Sequence, residues 1–175
     1  MLFRSKLVRA NGCNAHAGYI TSLKELWLDG SNASGELGSG NTTQSNVFFK
    51  PTFAGQGKIV NAKIAGGGGA TAALVNILVQ DEDGVAWISG YDVHGQLGQG
   101  GAPVTNLFRK VPIPEPIVDF EITDTTTLSG TAPVPYAHYA LGQSGRFYAW
   151  GGGTNGQLGN GMILNALTPV EVIVQ

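Results

Sequence analysis

Three clusters in this 175-residue sequence have residue types that could do chemistry. The run from Ile64 to Val75, IAGGGGATAALV, puts Gly67, Gly69 and Ala72 at the GxGxxA spacing of a dinucleotide-binding turn. Asp81, Glu82 and Asp83 bring three carboxylates together, and carboxylate oxygens are what calcium takes. Cys13 lies near His16, the pairing a catalytic thiol needs. His94 and His138 complete the histidines. Each cluster falls short on its own terms. Calcium requires more oxygen ligands at loop spacing than the acidic run offers. The histidines have no cysteine or acid at metal-ligand spacing. No nucleophile elbow, HExxH motif or framed carboxylate pair is present, so no general acid or base can be placed. No catalytic, cofactor-binding or metal-binding residue is assigned, and the chain reads as non-enzymatic.

The elements that would position such groups repeat. WLDGSNASGELGSG at Trp27 to Gly40 returns as WISGYDVHGQLGQG at Trp87 to Gly100 and as YAWGGGTNGQLGNG at Tyr148 to Gly161. Gly35 and Gly95 are 60 residues apart, and Gly95 and Gly156 are 61 apart. Such a period means stacked supersecondary units. Each copy follows two apolar strand patterns and precedes a third, so each unit offers four strands. LKE, DEDG and QSG fall at one tight turn between the second and third strands. The acidic run thereby becomes a solvated hairpin tip. The glycine-rich Ile64–Val75 run becomes an intra-blade turn, because its equivalents, RANGCNAHAGYITS and the Thr/Pro-rich stretch before PYAHYAL, have no phosphate turn. Four short strands per unit suit a propeller blade.

The pattern GxxxxGxLGxG, preceded by xxGxxW and followed by a Pro and a Val-rich strand, resembles the regulator of chromosome condensation repeat family from about Ser5 to Val174. The resemblance implies an all-β fold of four-stranded propeller blades, with the glycine motif between the third and fourth strands. Blade one would span about 5–53, blade two about 57–114 and blade three about 115–175. The motif residues are Gly30, Gly35, Leu37, Gly38 and Gly40, then Gly90, Gly95, Leu97, Gly98 and Gly100, then Gly151, Gly156, Leu158, Gly159 and Gly161. Gly30, Gly90 and Gly151 should close the third strand. Gly35, Gly95 and Gly156 should take positive φ, which a Cβ resists. Leu37, Leu97 and Leu158 should plug the gaps between blades. Trp27, Trp87 and Tyr148 should anchor the third strand. The family also implies a packing role for His16 and His138 near the propeller axis, while His94 should be exposed in its loop.

Composition sets the remaining limits. Charged residues are 13 % of the chain, about half the usual ~25 %. With a net charge of −2, the chain lacks the basic face of a general nucleic-acid binder. Arg4, Lys6 and Arg9 cluster in the first strand and read as solvated. A single cysteine, Cys13, forbids an intrachain disulfide and reads as a small buried residue. No signal peptide or membrane span is expected, which points to a virion or cytoplasmic location. Three blades do not close a ring, since propellers use roughly four to eight. Leu7, Val8, Val170, Val172 and Val174 would lie on uncovered end faces. The chain is therefore expected to be a homo-oligomer, foremost a two-fold six-bladed ring, or a docked arc in a larger assembly. Its partners should be proteins. The leading functional expectation is a structural or interaction module of a phage virion or surface adhesin. The alternative is an intracellular regulatory binding module for a GTPase or another protein.

Overall fold

A computed structural model describes residues 6–9 by backbone alone, and residues 16–53, 57–66, 75–101, 106–123 and 137–173. It is all-β, with three four-stranded antiparallel sheets and no helix among the described residues. The first sheet holds β1 (Lys6–Arg9), β2 (His16–Ile20), β3 (Leu26–Gly30) and β4 (Ser45–Phe49). The second holds β5 (Ile59–Gly66), β6 (Val75–Asp81), β7 (Ala86–Gly90) and β8 (Arg109–Lys110). The third holds β9 (Ile117–Ile122), β10 (Ala137–Gly142), β11 (Phe147–Gly151) and β12 (Ala166–Val172). Each sheet is a meander in sequence order, with every neighbouring pair of strands antiparallel.

Burial along a strand reports its place in the array. β6, VNILVQD, is buried at all seven positions, as a strand covered on both faces must be. β2 alternates buried and half-buried, so one of its faces is covered. The period of two sorts the middle sheet between two cores. Val75, Ile77, Val79 and Trp87 join Leu26, Leu28 and Ile64 at the first junction. Leu78 and Ile88 join Ile117, Phe120 and Trp150 at the second.

The two junctions share backbone bonds. Ile59 N donates to Lys24 O at 2.8 Å, and Ile117 N donates to Gly84 O at 2.8 Å. At the other edge Gly40 N donates to Asn106 O at 2.8 Å, and Gly100 N donates to Leu167 O at 2.7 Å. The junction geometry therefore belongs to the repeat.

Candidate functional site

The glycine loops are built the same way from different side chains. In the first, Leu37 N donates to Asn32 Oδ1 at 2.9 Å, and in the second, Leu97 N donates to Asp92 Oδ1 at 2.8 Å. Burial holds the Asp92 carboxyl above its ordinary range, against the Leu97 hydrogen bond and Arg109, which favour the charged form. The third loop has Gly153 in that position, and Gly153 N donates to Asn165 Oδ1 at 3.1 Å. One position works identically in all three. Ser34 N, His94 N and Asn155 N donate to Glu36 Oε2, Gln96 Oε1 and Gln157 Oε1 at 2.7, 2.8 and 2.8 Å.

The main-chain carbonyl of that position fastens one blade to the next. Ser89 Oγ donates to Glu36 O across the first junction. Trp150 Nε1 donates to Gln96 O at 2.9 Å across the second. Ser89 and Trp150 each precede the glycine that ends the third strand, so this bond is a second repeat-wide device. At Gln157 O the donor is Tyr139 Oη of the same sheet, at 2.6 Å. Asp29 holds the Ser89 position in the first sheet, and its carboxylate accepts from Ala17 N at 2.9 Å.

Every motif glycine among Gly30, Gly35, Gly38, Gly40, Gly90, Gly95, Gly98, Gly100, Gly151, Gly156, Gly159 and Gly161 has positive φ. Their surroundings differ. A Cβ on Gly95 would come 2.8 Å from Leu167 Cα, whereas one on Gly156 would meet nothing within 4 Å. Leu37, Leu97 and Leu158 are all buried. Leu158 is only 1 % exposed with no further sheet beside it among the described residues, so its own loop and sheet suffice to bury it. Plugging an inter-blade gap is not what buries this third leucine. Trp87 and Tyr148 are buried and Trp27 is half-buried, and among the described residues no sheet precedes the face that carries Trp27.

Several sequence expectations need correction. His16 pairs with Gly30, but His138 pairs with Trp150, one position earlier than Gly151. The two histidines therefore point to opposite faces and are not equivalents. The equivalent of His16 is Asn76, and both donate to the carbonyl after the strand-ending glycine: His16 Nε2 to Ser31 O at 3.0 Å, Asn76 Nδ2 to Tyr91 O at 2.9 Å. His16 Nε2 also lies 3.2 Å from Glu36 Oε1, with both side chains at most 1 % exposed, so this pair cannot reach a substrate. His138 is fully buried and stacks on Trp150 at 5.4 Å, and desolvation pushes its pKa down to about 3. His94 is half-buried, with Nδ1 3.4 Å from Asn165 Nδ2 of the next sheet.

The acidic run also divides. Glu82 and Asp83 are exposed, but Asp81 is buried. Its carboxylate accepts from Asp83 N, Val85 N and Trp87 Nε1, at 3.1, 2.8 and 2.9 Å, which closes the turn and ties it to the third strand. Among the described residues, no three His, Cys, Asp or Glu side chains form a metal-binding group. No helix among them is long and apolar enough to cross a membrane. Cys13, Arg4, Val174 and the Gly67, Gly69, Ala72 run lie outside the described residues, and Lys6, Leu7, Val8 and Arg9 are placed by backbone alone.

Two polar residues escaped the sequence reading. Glu115 accepts from Ser144 N, Ser144 Oγ and Tyr148 Oη at 2.7, 2.7 and 2.8 Å, and these bonds lower its pKa. Lys24 has φ of +62° at the turn position where the other sheets have Gly84 and Gly145. A visible signal existed for Lys24, since it breaks a glycine that the other two copies keep.

Comparison with known proteins places this architecture. Residues 144–174 match the model described as Regulator of chromosome condensation (RCC1) repeat. The X-linked retinitis pigmentosa GTPase regulator of Homo sapiens is 28 % identical over 159 residues, which cover 91 % of this chain and 14 % of that protein. The Regulator of chromosome condensation of Mus musculus is 33 % identical over 96 residues, covering 53 % of this chain and 20 % of that one. Among solved structures, Prp20p from Saccharomyces cerevisiae, described with its binding properties to Gsp1p and histones, superposes with a TM-score of 0.71 at 17 % identity, over 94 % of this chain and 37 % of that one. Human WBSCR16 superposes with a TM-score of 0.66 at 22 % identity, over 96 % and 40 %. The chain thus spans well under half of each of these proteins, and the three sheets are blades of a propeller fold.

Proposed function

Because the chain belongs to the regulator of chromosome condensation repeat family, we propose that it is a non-enzymatic protein-interaction module that regulates a partner by binding it. The observation that carries this reading is the division of labour within each blade. The loop side chains Glu36, Gln96 and Gln157 cap their own loops with one repeated bond, so these positions are committed to the scaffold. The turns between second and third strands vary instead, as LKE, DEDG and QSG. A constant framework with varied rim loops is a display surface.

The regulatory alternative fits better than a virion or adhesin role. A relative that covers 91 % of this chain is named as a GTPase regulator. A small GTPase is therefore the partner class to test first. The blade limits of about 5–53, 57–114 and 115–175 and the structural role of the fifteen motif residues are part of the same proposal. So is an arc docked in a larger protein assembly. The bond pattern at the two ends favours docking over closure by a second copy. Gln157 O already has its donor in Tyr139, and the Asp29 side chain at the Ser89 position is engaged as an acceptor by Ala17 N.

The test is direct binding of the purified chain to nucleotide-free and GTP-loaded small GTPases on a biosensor, paired with release of a fluorescent guanine nucleotide. Saturable binding that distinguishes the two nucleotide states is expected. A chain that binds no GTPase in either state would refute the GTPase arm. Turnover of a substrate by the chain alone would refute the non-enzymatic reading.

A further inference from the structure

At the rim of the first junction lies a cavity of about 440 Å³. Leu26, Phe53 and Ile59 give it an apolar floor, and Lys24, Lys50 and Lys58 line it with cations. The repeat supplies a control. At the second junction the same positions form a cavity of about 190 Å³, where Gly84 and Pro116 stand in place of Lys24 and Lys58, Lys110 keeps the Lys50 position, and each cavity has one carboxylate, Glu25 in the first and Glu115 in the second. The connection entering the second blade is two residues longer between Pro51 and Ile59 than between Val111 and Ile117. The first junction is therefore enlarged and made cationic on a scaffold that does not require either change.

Lys24 is the independent sign. Its backbone sits at +62°, where Gly84 and Gly145 take +76° and +88° without a side chain to resist it. A non-glycine residue held in that region is strained, and such strain marks positions whose side chain has a use. The ammonium groups are available for exchange. Lys24 pairs with Glu82 at 2.9 Å and Lys50 with Glu25 at 2.7 Å, all with side chains at least one-third exposed. Exposed pairs of this kind are weak and give way to a better-placed carboxylate. Lys58 is exposed and has no ion pair among the described residues. Leu23, 65 % exposed, extends the apolar surface at the cavity edge.

We propose that this cavity receives an acidic segment of a protein partner, seating an apolar side chain on the floor with flanking carboxylates on Lys24, Lys50 and Lys58. The inference rests on the reading of the chain as an interaction module and names the chemistry of one contact. An inorganic anion would use the lysines but not the apolar floor, so a peptide is the occupant that uses both.

The experiment is fluorescence anisotropy of the full chain with a fluorescein-labelled Glu-Asp-Leu-Phe-Glu-Asp peptide, with an all-serine-flanked Leu-Phe peptide and inorganic phosphate as comparison arms. Saturable, salt-sensitive binding of the acidic peptide is expected. Lys24→Gly and Lys58→Ala should each weaken it about fivefold, while Lys110→Ala at the second junction leaves it unchanged. Lys24→Gly should melt at or above the wild-type temperature, so its weaker binding cannot be blamed on misfolding. Absent saturable binding, or binding by Lys24→Gly and Lys58→Ala as tight as by the wild type, overturns the site. Displacement of the peptide by low-millimolar phosphate, with the serine-flanked peptide inert, would make it an anion site and also overturn the proposal. A GTPase still bound by Lys24→Gly while the peptide fails would remove this site and leave the interaction-module reading standing.

Discussion

The two blade junctions have one backbone design and two chemistries. Both carry the same inter-blade amide bonds, yet the first is fastened through Ser89 and the second through the Trp150 indole. The first opens into a wide lysine-lined cavity, and the second encloses His138 against Trp150. The residue in the His138 position at the first junction is Ile77, since it pairs with Ser89 as His138 pairs with Trp150. Repeated backbone bonds fix how blades meet, because every copy must satisfy the same amides. Side chains at the meeting are then free to diverge, provided the junction stays packed.

The largest expected difference between the junctions is in acid. His138 has a folded pKa of about 3 against an ordinary 6.5, so it is buried neutral. The unfolded chain binds the extra proton first, and the stability gained is present above pH 6.5 and lost as pH falls from 6.5 towards 3. At most ~5 kcal/mol is at stake. Denaturant melts of wild type and His138→Leu across this range should show the wild type losing more stability than the variant. Parallel curves would mean that His138 takes up its proton as readily in the fold as in the unfolded chain.

Truncation of the loop leucines tests whether burial depends on a neighbouring blade. Leu97→Ala should cost ~2–5 kcal/mol, and Leu158→Ala a comparable amount, because both are buried. A negligible effect at Leu158 in urea denaturation would assign its burial to a weakly held loop.

Gly95→Val and Gly156→Val separate backbone strain from crowding. Both force a β-branched residue to positive φ, at ~1–3 kcal/mol, but only Gly95 also faces Leu167 and Ala166. Gly95→Val should be the more destabilising, and equal melting temperatures would show that strain alone matters.

The smallest effect is at the first fastening. Ser89→Ala leaves Glu36 O without its side-chain donor and should cost ~1 kcal/mol. Calorimetry resolving no change would show that another group replaces Ser89.

Sequence patterning made the repeat legible because glycine is the residue that tolerates the loop's backbone, so the same need leaves the same letters three times. The strand count and the turn positions followed from it. Histidine register did not, since His16 and His138 differ by one residue in pairing, and a one-residue shift in a strand reverses its face. Asp81 looked like part of a solvated acidic tip because charge reads as exposure. Its three donors, one of them the Trp87 indole, are visible only in the folded turn.

The sequence by itself determined the all-β blades and the glycine loops, because these depend on local backbone preference and period. Tertiary structure decided what each polar group does. Glu36 caps a loop, Ser89 and Trp150 bridge blades, and Lys24, Lys50 and Lys58 come together at one cavity although 34 residues separate the first from the last. Hydrogen bonds and charge pairs act at distances of a few ångströms between residues far apart in the chain, and only the packing of one blade against the next brings those distances about.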